Sequence, residues 1–308
     1  MSKQNISWRH HYVPQFFIRN FSDSGKLYGY NKFTKSFFEP RPKDIFFERN
    51  KNTFLNELGE ESDLIEKIYA NIDSITSSAV NNVLSTGKLT KESLRGLLLL
   101  AYTNKWRSPS YDESYEIAKE LSFGDLRLHL ANLDLNLEFD LEKIWFSDEM
   151  QATKRILISL QPFLYKTDYE DIFKNSFLVS SPEPYSAILG SCPFIENPEQ
   201  SDNVFESFVM PISSELTLIY DRNGKNKIID FWNENYELYM PYFSNIRDLA
   251  SFHMTDSYVI SSSRERIECI QKVYDEFVKT GKDVRTIPSY LFFMIKTKNE
   301  FVELLKNK

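Results

Sequence analysis

The feature that most constrains this fold is a change of hydrophobic spacing along the chain. From Glu60 to Ser85, apolar residues (Ile65, Ile68, Ile72, Ile75, Ala79, Val83) recur at three- and four-residue steps, and Gly87 closes the segment. That spacing lines one face of a helix. Thr90 is a helix-cap candidate with Glu92 in the first turn, and its helix runs to about Trp106 before Arg107-Ser108-Pro109 stops it. Further helices are predicted near Glu113–Ala131 and Leu141–Leu160. After Tyr169 the runs become short, branched and aromatic: Ser176–Ser180, Tyr185–Leu189, Phe205–Met210 and Glu215–Tyr220. Turn residues such as Asp221-Arg222-Asn223-Gly224 separate them, which predicts an antiparallel sheet. Helical spacing returns at Ser244–Ser257, Arg264–Lys279 and Ser289–Lys306, with a short strand at Tyr258–Ile260.

Ahead of the helices, Pro14–Phe21 reads as a short helix with proline at its first position. Lys26–Asn31 and Lys35–Glu39 read as a hairpin around Lys32-Phe33-Thr34, and Arg41–Leu55 as an extended connection. Strands and helices come in blocks, not in alternation, so the fold class is α+β. It is expected to be mainly a helical bundle with a small N-terminal hairpin and an antiparallel sheet in the C-terminal half. Residues 1–308 are expected to form one domain, with a basic aromatic block (1–57), a bundle (58–168) and a sheet with helices (169–308).

Several function classes drop out. The nine glycines form no G-x-G-x-x-G or phosphate-loop motif. Cys192 and Cys269 are too few for a cysteine-based zinc site or a disulfide scaffold. The N-terminus lacks an apolar signal region, and the longest apolar run, Leu97–Tyr102, is too short to span a bilayer. The expectation is a cytoplasmic protein with no membrane partner. The cofactor stays open: a divalent metal is compatible, but no metal motif is present.

Charge is uneven. The whole chain carries −7, yet residues 1–55 hold ten Lys/Arg against four Asp/Glu, and 13 of the 46 aromatic residues. Cations interleaved with rings suit single-stranded nucleic acid, through phosphate neutralisation and base stacking. The alternative is that this block packs on the acidic remainder and its rings are core.

The block His10-His11-Tyr12-Val13-Pro14-Gln15-Phe16-Phe17-Ile18-Arg19-Asn20-Phe21 resembles the opening H-Y-V-P-x-F-x-L-R-x-F of a mainly bacterial family, domain of unknown function 4238. Leu27-Tyr28-Gly29-Tyr30 is similar to that family's "VYD" strand. Leu64-Ile65-Glu66 and Asn71-Ile72-Asp73 are similar to its paired "LE…IE" helix, and Trp106-Arg107-Ser108-Pro109 to its "x-R-x-P" helix end. Phe177–Pro184 resembles "FITSDNP" and Phe208–Ser213 resembles "FPLS". Where relatives would carry Asp after Ser, this chain has Ser181 and Pro182. The resemblance implies a shared fold. It also implies that any metal or proton role of that Asp is lost here or passes to Glu183.

The chemistry candidates follow from both readings. Of four histidines, His10 and His11 adjoin the Pro14 helix, whose positive end would lower an imidazole pKa and favour an anion. His11 is the candidate general base, Glu66 would orient or deprotonate a water, and Arg19 or Arg107 would hold a phosphate. His10, Gln15, Arg19, Asn20 and Asp73 are binding candidates beside them. An HNH-type nuclease site fits poorly, because no further His appears before His129, and Ser180-Ser181 lacks a nucleophile elbow. Trp106, Trp145 and Trp232 are expected in the core. Two functions are carried forward. One is a hydrolase, nuclease-like or acting on a nucleotide phosphate, with a role in defence; its partner would be nucleic acid or a nucleotide. The other is a non-enzymatic module that binds a protein or ligand. A third possibility is that the H-Y-V-P block is simply a structural plug, with a buried histidine bonded to a backbone carbonyl and a salt-bridge network behind it.

Overall fold

The computed structural model describes residues 8–55, 61–117, 147–164, 169–198, 207–222 and 228–307. The chain opens on β1 (Arg9–His11), turns through Tyr12-Val13-Pro14 into α1 (Gln15–Arg19), and enters the hairpin β2 (Tyr28–Asn31) and β3 (Ser36–Phe38). Pro14 is the cap of α1 and not its first residue. The predicted connection Arg41–Leu55 contains paired strands. β4 (Phe47–Arg49) runs antiparallel to β1, setting Arg9 opposite Arg49, His10 opposite Glu48 and His11 opposite Phe47. β5 (Phe54–Leu55) pairs with β6 (Glu61–Ser62). The histidines therefore lie in a strand. That strand escaped the sequence reading because three residues are too few to display a period-two alternation.

Two long helices follow. α2 (Leu64–Thr86) ends on Gly87 in a left-handed conformation (φ 63°), which glycine adopts without penalty. α3 (Lys91–Arg107) starts with a reciprocal cap between Thr90 and Ser93. The two pack so closely that a Cβ on Gly96 would lie 2.3 Å from that of Ala79. Residues 112–117 are also helical. The remainder of Glu113–Ala131, the first part of Leu141–Leu160, Trp145 and the tip of the 221–224 turn lie outside the described residues. α4 (Asp148–Leu164) packs on α3 and is followed by α5 (Tyr169–Lys174).

The second half opens with β7 (Ser176–Ser180), β8 (Ile195–Glu196), β9 (Phe208–Pro211) and β10 (Leu216–Tyr220), an antiparallel sheet in the order β7-β10-β9-β8. Tyr185–Leu189, predicted as a strand, contributes only one bridge, Leu189 to Ile260. Helix α6 (Ile228–His253) begins well before the predicted Ser244 and carries Pro241 inside it. β11 (Tyr258–Ser261) then joins β2 to complete the three-stranded sheet β11-β2-β3. α7 (Arg264–Lys279) has its predicted limits, and the last predicted helix is broken into α8 (Ile287–Lys296) and α9 (Lys298–Lys306). The architecture is α+β. Among the described residues, no helix is long and apolar enough to cross a membrane.

The N-terminal motif is mostly core. Val13, Phe17, Ile18 and Phe21 are fully buried with Leu97, Leu100 and Ala101 of α3 and with Phe208 and Leu218 of the sheet. A second cluster joins the other face of that sheet to α6, α7 and α8 through Ile219, Trp232, Phe243 and Ile267. Trp232 is buried as expected, whereas Trp106 is only partly so. Burial of these large side chains contributes roughly 1.5–3 kcal/mol each.

Candidate functional site

Strand alternation sends the two histidines to opposite faces of β1. His10 points inward and is 1% exposed. Its Nδ1 accepts the Asn52 N–H at 2.8 Å, so in the neutral ring the proton sits on Nε2. Asn52 Nδ2 in turn donates to Glu66 on α2. His10 Nδ1 lies 3.8 Å from the Glu66 carboxylate, but its lone pair is already engaged by Asn52. Glu66 therefore meets His10 through Asn52, a residue that the sequence reading placed in a connection.

Arg107, at the C-terminal end of α3, closes the arrangement. Its Nη1 donates to Asp73 Oδ1 at 2.8 Å, its Nη2 donates to the His11 carbonyl, and its guanidinium lies 4.2 Å from the Tyr69 ring centre. One arginine thus ties β1 to both long helices. Burial raises the Asp73 pKa while Arg107 opposes the rise, and burial pushes the Tyr69 hydroxyl up to about 12. Beside them, Arg155 of α4 donates to Asp112 at 2.6 Å. The partly open hollow lined by His10, Asn52, Tyr69, Arg107 and Arg155, among others, measures about 20 Å³. That is room for about one water molecule and no substrate.

The His11 ring is on the other face, against Phe47 at 5.7 Å. Its pKa falls to about 4, chiefly through burial and further through the positive charges of Arg107 and Arg9; hydrogen bonds to the Lys43 and Pro42 carbonyls oppose the fall. The ring is neutral at pH 7, and its buried Nε2 has no hydrogen-bond partner. The expected cause, the α1 dipole, is not needed: α1 has five residues and lies beyond Pro14.

The same outward face continues toward solvent. Trp8 is 44% exposed, and the guanidinium carbons of Arg9 and Arg49 lie 4.6 and 5.0 Å from its ring centre. Arg9 also sits 5.2 Å from the Phe47 ring. Arg9 and Arg41 both donate to Asp44, at 2.7 and 2.6 Å, whereas Lys43 and Arg49 make no ion pair among the described residues. Like charges directly opposite on paired strands repel each other. Here they are interleaved with rings and one carboxylate. Phe46, just before β4, has φ +54°, an uncommon conformation for a phenylalanine. It is held by the Tyr12 N–H bond to its carbonyl and by complete burial of its ring.

Of the eight residues singled out from sequence, five come together around β1 and the long helices: His10, His11, Glu66, Asp73 and Arg107. Three do not. Arg19 is exposed and reaches only Gln15, at 3.4 Å, while Asn20 donates to the Ile212 carbonyl, beside the main sheet. The exposed surface formed by Trp8 and Arg49, with Lys43 on the neighbouring 3-10 turn Pro42–Asp44, is not legible as a unit, although basic and aromatic residues alternate around His10 in the sequence. Ser181 has a clear environment. Its Oγ accepts from Arg247 Nη1 at 2.8 Å, so a carboxylate at this position would meet a guanidinium. Glu183 instead accepts from Ser186 Oγ. Among the described residues, no three His, Cys, Asp or Glu side chains gather to hold a metal.

The family described as Protein of unknown function (DUF4238) matches residues 9–267, which include β1, both long helices, the main sheet and β11. No curated protein and no solved structure matches the chain. The match covers well over half of the sequence, and the chain belongs to the DUF4238 family.

Proposed function

We propose that this protein is a recognition module that captures an anionic partner on the exposed face of the β1–β4 ribbon. The observation that carries this reading is the placement of Arg9 opposite Arg49 with both guanidinium groups against the half-exposed Trp8. Two like charges held together at a surface are stabilised by a bound anion. The local surplus of cations attracts one despite the net negative chain, since exposed charges are screened beyond about 10 Å at 0.1 M salt. Behind the ribbon, Arg107, Asp73, His10 and Glu66 are engaged with one another or with Asn52, as a framework requires and a reacting group does not. Retention on a heparin column tests this directly. The wild type should elute at higher salt than the Lys43→Gln/Arg49→Gln variant, and equal elution would remove the reading.

One observation favours the hydrolytic alternative. His11 is neutral at pH 7 with an unpartnered buried Nε2, which is the state of a general base. Cleavage assays on DNA, RNA and nucleotides, with and without Mg²⁺ or Mn²⁺, decide between the two. Turnover abolished by His11→Gln would establish the hydrolase, and binding without turnover would leave the module.

A further inference from the structure

Resting on the reading of the ribbon as an anion-binding surface, we infer that its partner is a single-stranded nucleic acid. The rings decide between classes of anion. A sulfated glycan or an acidic peptide carries no regular series of flat π faces between its charges, and exposed cations would suffice to hold it. This ribbon instead layers planar groups: Arg49 and Arg9 on Trp8, and Arg9 again on Phe47, whose ring meets Trp8 edge-on at 6.0 Å. Trp8 remains 44% exposed within that layer. A large aromatic ring kept at a charged surface matches a ligand that carries flat π faces between its negative charges. Unpaired bases do so, and bases inside a duplex have their faces covered by their neighbours.

The cations are arranged to match. Asp44 fixes the side chains of Arg9 and Arg41 through two hydrogen bonds, so those guanidinium groups are held in place before any ligand arrives. Lys43 and Arg49, without ion pairs among the described residues, remain to neutralise phosphates. The ribbon is only three residue pairs long, so it engages few nucleotides.

The test is fluorescence anisotropy of the full-length protein with labelled 12-mer oligo-dT and oligo-rU, a 12-base-pair duplex, and labelled heparin, from 50 to 200 mM salt. Single strands should bind several-fold more tightly than the duplex. Trp8→Ala should weaken single-strand binding about five-fold or more, as loss of one stacked base does, and Trp8→Phe should restore most of it. Lys43→Gln/Arg49→Gln should reduce the slope of log affinity against log salt by about 1.4, at about 0.7 for each phosphate that is no longer neutralised. Matching melting curves establish that the variants are folded. Should Trp8→Ala bind like the wild type, or duplex and heparin bind as tightly as single strands, the partner is a general polyanion; this inference then falls while the ribbon reading stands. Absence of binding to every ligand at 50 mM salt would overturn both.

Discussion

Two arginine-centred networks in this molecule use the same chemistry in different surroundings. In the C-terminal half, Arg247 and Asp248 are fully buried, and Asp248 accepts from both Arg247 (2.7 Å) and Arg266 (2.6 and 2.8 Å). The rest of the Arg247 guanidinium is met by neutral oxygens: Ser181 Oγ, Thr217 Oγ1 and the Tyr185 carbonyl. One carboxylate thus serves two cations, and the surplus charge is spread over dipoles. Around Arg107 the charges balance one to one. One nearly buried cation meets a partly exposed Asp73, and the adjacent histidine ring is neutral. The sealed network depends wholly on its partners for solvation. The one around Arg107 keeps an open side, because Asp73 is partly exposed. Motif membership alone therefore does not mark a reactive group, since Arg107 and His10 can hold β1 to the long helices without reacting with anything.

The largest effect that separates the two networks is expected at Asp248. Asp248→Ala strands two buried guanidinium groups and should cost about 3–5 kcal/mol in urea denaturation. Arg107→Met should cost less, about 2 kcal/mol, because Asp73 regains water when its partner is removed. If Arg107→Met proved the more damaging, the contrast between sealed and open-sided networks would be wrong. His10→Phe removes the acceptor of the Asn52 N–H and should cost about 1–2 kcal/mol.

Acidification sharpens the comparison further. The folded-state pKa of His11, about 4, lies below its ordinary value of 6.5, so the unfolded chain binds more protons between those values. His11 therefore contributes stability that is present above pH 6.5 and lost as the pH falls toward 4. Urea midpoints measured across that range should fall more steeply for the wild type than for His11→Gln, and parallel curves would show that the ring is not held neutral. The smallest effect is expected at the ribbon. Trp8→Ala and Arg49→Gln should each change stability by no more than about 0.5 kcal/mol, as exposed substitutions do.

How far the sequence foretold this depends on range. Strong local signals held, since the spacing of Ile65, Ile72 and Val83 marks α2, Thr90 marks the start of α3 and Arg264–Lys279 matches α7 to the residue, whereas the weaker ones at Tyr185–Leu189 and Ser244 did not. The Arg107–Asp73 pair joins two residues that the sequence singles out, and a cation suits the end of α3, but nothing local specifies which acid it meets. What stayed hidden was pairing across distance. β11 meets β2 more than two hundred residues away, and no local pattern specifies a partner. The same holds for β4 against β1, which decides that His10, not His11, faces Glu66. Arg19 was misplaced for a related reason: a five-residue helix gives too little periodicity to tell which way its one charge points.

On the proposed reading, the ribbon recognises the partner and the Arg107 network only supports it. Anisotropy titration of Arg107→Met beside Lys43→Gln/Arg49→Gln, under conditions where both are folded, separates these two roles. Wild-type affinity for single strands is expected in Arg107→Met, with a marked loss in the ribbon variant. Loss of binding in Arg107→Met with the ribbon variant unaffected would contradict this division of labour.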